Sequence, residues 1–349
     1  MDGRGQTVGV LELGGSIDLG DLSSYFKSLS LPVPDVTSVS VDGAAYKSSD
    51  ADPQVMLDVE IVGAIAPRAR IRVYFAPSTA AGFADAIKQA ESDRVAVLST
   101  GWGQPEVYWK DDDIKAMNAA LESAANSGIT VLAAASDRGV TDGVKDGRRH
   151  VDFPGSSPWV LSVGGTTLKS AGGRITSETV WRDSFGGFAT GGGASEKFGR
   201  PEWQSAVSVP KRDDGGLGRG IPDVVASASP ENGVNIIVHR QAATLGGNSV
   251  SVPLLAGLMA LINQGVGYNV GYLNPRLYRD IGPAGIFRSI TSGDNSVDGI
   301  KGYAAGPGWT PVAGWGSPDG MKLMTWFRAH PDPGRASTVV AAPCRVSLK

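Results

Sequence analysis

The sequence predicts an α/β fold, in which a doubly wound, mainly parallel sheet is flanked by helices within a single large domain. Short apolar segments typical of buried strands alternate with longer segments of helical periodicity from residue 7 to residue 163. The length of 349 residues suits one large α/β domain, although two smaller domains would also fit it. The 48 glycines indicate many turns and close backbone approaches.

The strands are predicted from short runs that are apolar throughout or at alternate positions. In chain order they cover residues 7–13, 37–41, 69–75, 95–100, 130–135 and 159–163. The helices are predicted from apolar positions on one face, and they cover residues 18–29, 53–66, 83–92 and 114–127. Ligands of such folds bind at the carboxyl ends of the parallel strands. Three side chains at or near those ends are therefore candidates for a site: Glu12, Trp102 and Asp137.

The second half of the chain is less regular. Residues 171–220 are rich in glycine and turn residues, and they predict long surface connections. Within them, Gly191, Gly192 and Gly193 are candidate substrate-binding residues, because such a segment can form a cleft wall that pairs with an extended peptide. Residues 233–244 predict a hairpin, residues 271–275 open a short helix, and residues 330–349 predict a flexible tail.

Composition and charge exclude several classes of partner. The chain is 41% hydrophobic and 19% charged, as in ordinary globular proteins. A net charge of -3 without a basic run argues against a nucleic-acid partner. We expect no membrane partner either, because by inspection no apolar run is long enough to span a bilayer. Cys344 is the single cysteine, so neither an internal disulfide nor a zinc cluster is predicted. The N-terminus lacks the apolar region of a signal peptide, which predicts a cytoplasmic protein.

The three histidines stand in polar or loop-like contexts, which favours surface or structural roles for them. A Ser-His-Asp triad would need one of them beside a serine and a carboxylate. His150, just before Asp152, stays open as a candidate. If the chain is a serine enzyme, we expect its base to be a residue other than histidine.

The most informative turn is Gly246-Gly247-Asn248-Ser249, which runs into an apolar helix. Two glycines before a serine allow a turn tight enough to present the hydroxyl at a helix N-terminus, where backbone N–H groups favour an oxyanion. Pro253 is expected in the first turn of that helix, where its missing N–H costs little. From this stretch alone two interpretations are open: Ser249 is a nucleophile, or Asn248 or Ser249 is an N-cap of a buried helix.

Five motifs in order along the chain resemble those of the sedolisins, or serine-carboxyl peptidases, and most closely their kumamolisin-like members. The motifs are Ser136-Asp137-Arg138-Gly139, Thr190-Gly191-Gly192-Gly193, Gly246-Gly247-Asn248-Ser249 with Pro253, Gly271-Tyr272-Leu273-Asn274-Pro275 and Ala305-Gly306-Pro307-Gly308-Trp309. The resemblance extends from Gly3 to about Phe327. It implies a subtilisin-like fold, and a serine nucleophile that is served by carboxylates instead of histidine.

The resemblance also implies a role for each matching residue. Ser249 matches the nucleophile, and Asp137 matches the aspartic acid that stabilises the oxyanion as a protonated donor. Asp58 matches the carboxylate that orients the general base. Glu12 and Trp102 match positions that extend this hydrogen-bond chain.

The base itself is expected four residues before Asp58, one helical turn back on the same face, and that residue is Gln54. A carboxamide cannot accept the serine proton as a carboxylate does, but it can still hydrogen-bond to Ser249. Loss of one member of a catalytic unit costs on the order of a thousand- to a million-fold in rate. The nearby carboxylates Asp52 and Glu60 lack the required spacing from Asp58, and we do not assign either as the base.

Two further departures from the family concern metal and maturation. The family holds one calcium ion near the C-terminus with two aspartates and backbone carbonyls, and the corresponding positions here are Ser289, Ile290, Gly306, Gly308 and Thr310. Since calcium prefers several anionic oxygens, we predict no bound calcium and no other cofactor. Asp294 and Asp298 could form a different site, but an exposed loop is the preferred interpretation. Family members usually carry a long propeptide, and from this sequence we expect none.

Three functions are consistent with these residues. The first is a repurposed enzyme that hydrolyses or transfers an acyl group of a peptide-like substrate through Ser249. The second is a catalytically inactive pseudopeptidase that binds peptides or acts as a scaffold. The third is a conventional acid endopeptidase of low activity. In every case the expected ligand is a peptide or a peptide-like molecule.

Overall fold

The computed structural model describes residues 1–183 and 187–332. Most of the predicted flexible tail, with Cys344, therefore lies outside the described residues. The helices are α1 (Leu19–Ser28), α2 (Asp52–Ile65), α3 (Ala80–Ser92), α4 (Asp111–Asn126), α5 (Asn248–Val266), α6 (Asn274–Arg276) and α7 (Gly320–Ala329). The strands are β1 (Thr7–Glu12), β2 (Asp35–Ser40), β3 (Arg70–Phe75), β4 (Val97–Thr100), β5 (Gln104–Pro105), β6 (Thr130–Ala134), β7 (Asp152–Phe153), β8 (Leu161–Ala171), β9 (Arg174–Val180), β10 (Gly193–Gly199), β11 (Gly218–Ile221), β12 (Val224–Ser227), β13 (Val234–Val238), β14 (Gln241–Leu245), β15 (Phe287–Arg288) and β16 (Ser317–Pro318).

The main sheet has the strand order β12-β8-β6-β4-β1-β3-β2, and β9 pairs with β8. All neighbours along this order are parallel, and only β9 is antiparallel to its partner. Strands β2 and β3 lie on one side of β1. Strands β4, β6, β8 and β12 lie on its other side. The point where the strand order reverses lies beside β1, and ligands of doubly wound sheets bind at such a point. The predicted parallel α/β fold is confirmed.

Helices cover both faces of the sheet. On one face, α1, α2, α5 and α7 pack against side chains such as Val8 and Val10. On the other face, α3 and α4 pack against side chains such as Leu11. Successive side chains of β1 point to opposite faces of the sheet, so this strand contributes to both hydrophobic cores. Helix α5 lies close to α2, since a Cβ at Gly257 would stand only 2.7 Å from Ile65 Cβ.

Several sequence expectations need correction. Residues 171–183 and 187–220 contain more strand than the predicted surface connections: β8 and β9 form an antiparallel pair, β10 pairs with β11, and residues 189–193 are buried. Periodicity missed these strands because glycine and polar residues interrupt their apolar pattern. The predicted hairpin is present as β13 and β14.

Helix α5 also differs from expectation. It begins at Asn248, so Pro253 lies inside the helix and not in its first turn. Its missing N–H leaves the carbonyl of Ser249 without the usual helical donor. The 19 residues of α5 are long and apolar enough to cross a membrane by length and composition, so the statement that no run is long enough was wrong. The helix is mostly buried against α2 and the sheet, as is usual for the core helix of a globular fold.

Candidate active site

Ser249 stands at the start of α5, directly opposite the carboxyl end of β4. The N-cap of α5 is Gly247, with φ 103°, a residue that has no side chain with which to cap the helix. The interpretation of Asn248 or Ser249 as a capping side chain is therefore wrong. A Cβ at Gly101, the residue after β4, would lie 3.2 Å from Ser249 Oγ and 2.9 Å from Gln54 Nε2. The structure thus brings Gln54 and Ser249 to the same glycine.

Gln54 and Asp58 are one turn apart on α2, and their side chains are in contact. Asp58 also contacts Glu12, the last residue of β1, and Trp102 Nε1 donates to Glu12 Oε2 at 2.8 Å. The four side chains therefore form a row from Trp102 through Glu12 and Asp58 to Gln54. This row contains every residue that the sequence assigned to the base side of the site.

The Glu12 and Asp58 carboxyls are both buried, and their protonation follows from that burial. If both are ionised, neither Asp58 oxygen has a hydrogen-bond donor among the described residues. Burial raises the pKa of Asp58 to about 7, although contacts with Glu12 and Gln54 act in the opposite direction. Burial, and then the Asp58 charge, raise the pKa of Glu12 well above its usual range. A proton held between the two carboxyls supplies the missing donor.

The Gln54 carboxamide is not fully satisfied in this row. Its Nε2 atom is buried and has no hydrogen-bond partner of standard geometry among the described residues. A carboxamide nitrogen cannot accept a proton, so this atom offers Ser249 a donor only. The expected hydrogen bond that holds Ser249 in place is not formed by Nε2 in this structure.

Asp137 follows β6 and lies on the other side of Ser249. Its Oδ1 atom accepts a hydrogen bond of 2.6 Å from the backbone N–H of Asn248. Its Oδ2 atom lies against the serine turn, because a Cβ at Gly247 would stand 2.5 Å from it. Burial raises the pKa of Asp137 to about 6, while the Asn248 N–H and Arg138 act to lower it. Below that pH the carboxyl is neutral and can donate a hydrogen bond.

The cleft beside Ser249 is more acidic than the sequence suggested. Ser249, Asp137, Asp142 and Asp152 line a cavity of about 220 Å³. Burial raises the pKa of Asp142 to about 7 and the pKa of Asp152 well above its usual range. Sequence analysis missed both as site residues. Asp142 precedes a glycine and has φ 49°, so a turn signal was present there, whereas Asp152 is brought in only by tertiary pairing of β5 with β7.

Gly191, Gly192 and Gly193 form an inner wall and not a surface loop. The Gly191 N–H donates to the Ser136 carbonyl at 2.8 Å, and any side chain at Gly191 would overlap the Ala135 carbonyl. The segment is therefore packed on the backbone that leads into Asp137. Its predicted role in binding a substrate remains a prediction.

The histidines and the other carboxylates of α2 form hydrogen bonds with residues other than Ser249. His150 faces Asp146, and exposed His239 faces Asp52, both at 3.0 Å. Asp52 also accepts hydrogen bonds from Ser16, Ser48 and Ser49, and Glu60 accepts the backbone N–H of Ile237. These contacts lie on the side of α2 away from Asp58, so Asp52 and Glu60 do not face Ser249.

The residues at the family's calcium positions do not fit calcium. The Thr310 hydroxyl accepts the Ala313 N–H, and the Thr310 carbonyl accepts the Gly314 N–H, while Ile290 is a buried apolar side chain. The set therefore lacks the anionic oxygens that calcium prefers. Of the two nearby aspartates, Asp294 pairs with Arg182 at 2.7 Å and Asp298 pairs with Lys145 at 3.5 Å. The described residues contain no group of three or more histidine, cysteine or acidic side chains suited to a metal.

Residues 43–281 match the subtilase family, Peptidase S8. Kumamolisin of Bacillus sp. (strain MN-32) is 47% identical over 334 residues, which cover 93% of this chain and 60% of that protein. Sedolisin of Pseudomonas sp. (strain 101) is 31% identical over 348 residues, which cover 93% of this chain and 58% of that protein. The chain therefore spans about 60% of the length of these relatives.

The solved structure of Pseudomonas sedolisin, complexed with two molecules of pseudo-iodotyrostatin, superimposes on this chain with a TM-score of 0.85. The two chains are 30% identical, and the superposition covers 94% of each.

Proposed function

Since this chain belongs to the subtilase family, and within it to the sedolisins, we propose that it is a repurposed acyl-transfer or hydrolytic enzyme that acts on a peptide-like substrate through Ser249. The observation that carries this proposal is the contact between the serine turn and Asp137. The Asn248 N–H occupies Asp137 Oδ1, which leaves Oδ2 for the proton and turns it toward the reaction site. A neutral carboxyl at this place can stabilise the oxyanion that forms when Ser249 attacks a carbonyl group.

The proposed reaction is limited at its first step, the removal of the serine proton. Ser249 Oγ forms a bond to the carbonyl carbon, the carbonyl oxygen becomes the oxyanion, and the hydroxyl proton must leave. Gln54 cannot take this proton, so water or the substrate's own leaving group must accept it. The chemistry is therefore expected to be slow with ordinary peptides and faster with substrates that have an activated or self-assisting leaving group.

A peptide-binding pseudopeptidase is the second candidate, and Gln54 itself favours it. The cleft keeps its acidic cavity and its glycine wall, which a bound peptide can use without any chemical step. A conventional acid endopeptidase of low activity is the third candidate. Pseudo-iodotyrostatin, which is bound to Pseudomonas sedolisin, is a suitable probe of cleft binding for all three.

Two measurements separate these candidates. A fluorophosphonate probe reports whether Ser249 reacts, and an acid-pH assay with a peptide substrate reports turnover; Ser249→Ala is the control in both. The repurposed enzyme is expected to label at Ser249 while it cleaves ordinary peptides weakly or not at all. Labelling that Ser249→Ala leaves unchanged would remove the nucleophile from the proposal. Robust peptide turnover by the wild type would instead favour the conventional peptidase.

A further inference from the structure

The side chain of Asn248 joins three parts of the site that are far apart in sequence. Its Nδ2 atom donates to the Ser136 carbonyl at 2.6 Å and to Thr190 Oγ1 at 3.2 Å. Asn248 precedes Ser249, Ser136 precedes Asp137, and Thr190 precedes the wall formed by residues 191–193. The residue before Ser249 is thus hydrogen-bonded through its carboxamide to the residue before Asp137 and to the residue before the 191–193 wall.

The backbone of Asn248 adds a third contact, the N–H that donates to Asp137 Oδ1 at 2.6 Å. The Asn248 side chain therefore binds the backbone carbonyl of Ser136, and the Asn248 backbone N–H binds the carboxyl of Asp137. Ser136 itself has φ 90°, a conformation that L-residues rarely adopt. Such a backbone needs fixed partners, and Asn248 Nδ2 and the Gly191 N–H both donate to its carbonyl.

The environment leaves Asn248 little freedom to move. The residue is fully buried, and Gly165 approaches its Oδ1 atom so closely that a side chain at that position would overlap it. Oδ1 has no hydrogen-bond donor among the described residues. A buried, half-satisfied carboxamide costs stability, which is consistent with a side chain retained for its position and not for its contribution to folding.

From these contacts we propose that Asn248 is a positioning residue, which fixes Asp137 and the 191–193 wall relative to Ser249. This assignment rests on the proposed role of Asp137 and Ser249 in the reaction. It predicts that loss of the carboxamide lets the serine turn and the Ser136-Asp137 segment shift against each other. A misplacement of about 1 Å can reduce a reaction rate on the order of a hundredfold.

The chain supplies a matched control for this proposal. Asn274 is also fully buried, and its Nδ2 donates to the carbonyls of Pro158 and Val160. Within residues 1–183 and 187–332 its Oδ1 has no donor. Neither acceptor of its Nδ2 is a site residue named above. Asn248→Ala and Asn274→Ala therefore remove the same chemical group from similar surroundings, and only the first is expected to affect the site.

The first readout is the titration of Asp137 in the full chain, followed by NMR of the ¹³C-labelled carboxyl and assigned with Asp137→Asn. Asp137 is faced by Arg138, Asp142, Asp152 and Asp183, all of which stay in place in both variants. In Asn248→Ala the hydrogen bond to Oδ1 is expected to lengthen, which stabilises the carboxylate less. The midpoint should then move upward by about 1 pH unit, whereas Asn274→Ala should leave it unchanged.

The second readout is the rate of fluorophosphonate labelling at Ser249. Asn248→Ala is expected to reduce it on the order of a hundredfold, and Asn274→Ala to leave it unchanged per folded molecule. Asn248→Thr, which has a similar volume and keeps one hydroxyl donor, is expected to fold and to lie between the wild type and Asn248→Ala in both readouts. Unchanged titration of Asp137 in Asn248→Ala, or in Asn248→Thr if the alanine variant does not fold, overturns the proposal. Absence of labelling in the wild type counts against the proposed enzyme only, because the titration does not depend on catalysis.

Discussion

The buried carboxyl of Asp58 contacts the side chain of Gln54 one helical turn before it on α2. Asp58 and Glu12 share a proton, and they match the carboxyls that orient a general base. Here the side chain that they would orient is Gln54, and an amide cannot act as a general base. We therefore expect the proposed loss of the general base to be confined to a single functional group, an amide in place of a carboxyl.

We therefore expect Gln54→Glu to increase peptide hydrolysis at acid pH on the order of a hundred- to ten-thousandfold, which is the usual contribution of a general base. The measurement is turnover of a peptide substrate by wild type and variant. Gln241→Glu adds the same charge at an exposed position on β14 and is expected to have no effect. The gain should disappear in the double variant Gln54→Glu, Ser249→Ala. A folded Gln54→Glu protein no faster than the wild type would show that the defect extends beyond this residue.

The sequence was sufficient to predict the features that repeat locally. Gln54 and Asp58 share a helix face because they are four residues apart, and β1, β4 and β6 are apolar enough to be recognised as buried strands. The roles of Asn248 and Asp152 could not be predicted in this way. Asn248 meets Ser136 and Thr190 across 112 and 58 residues of sequence, and Asp152 reaches the cleft through β7. Such contacts depend on how the elements pack, which no local pattern specifies.

The start of α5 shows a similar limit. The glycines before Ser249 predicted the turn, but the first helical residue depends on the positive φ of Gly247 and on the contact of Asp137 with the Asn248 N–H. Since those contacts come from the end of β6, the position of Pro253 within the helix could not be deduced from the sequence near it.

Asp137→Asn provides a test of the oxyanion donor. An asparagine can keep the bond from the Asn248 N–H at its oxygen and place an NH₂ donor where Oδ2 now stands, without any titrating proton. The wild-type rate of Ser249 labelling is expected to fall as pH rises through about 6, where Asp137 loses its proton. In Asp137→Asn this fall should be absent, and in Asp137→Ala the rate should drop on the order of a hundred- to a thousandfold at all pH values. Identical pH profiles for wild type and Asp137→Asn would exclude Asp137 as the proton donor.

Calcium is expected to leave the protein's thermal stability unchanged. A ligand that binds only the folded state at a hundred times its Kd stabilises it by about 2.7 kcal/mol, which raises the Tm measurably. Millimolar calcium should not raise the Tm of the wild type, because Ser289 and Thr310 offer no carboxylate. The double variant Ser289→Asp, Thr310→Asp is the positive control and should gain calcium-dependent stability. A calcium-dependent rise in the wild-type Tm would contradict the prediction.

The fold is expected to be more stable in mild acid than at alkaline pH. Burial raises the pKa of Asp137 to about 6, of Asp58 and Asp142 to about 7, and of Glu60 to about 8. In the unfolded chain these groups titrate near pH 4, so the folded state binds protons more tightly. Their contribution is complete below about pH 4 and is lost as pH rises through 6 to 8. Several partly exposed aspartates, such as Asp2 and Asp280, have lowered pKa values and oppose this trend only at the acid end.

Urea unfolding at about pH 5 and about pH 8 should therefore show a loss of several kcal/mol in the free energy of unfolding at the higher pH. Glu60→Gln removes one of these titrating carboxyls at a position that does not face Ser249. The amide oxygen of the variant can still accept the Ile237 N–H. Its loss between the two pH values should be smaller than that of the wild type by about 3 kcal/mol. Glu231→Gln removes an exposed carboxyl and should behave like the wild type. Stability that instead increased from pH 5 to pH 8 would mean that these buried carboxyls are ionised in the folded protein, and the same result would remove the neutral Asp137 on which the oxyanion argument depends.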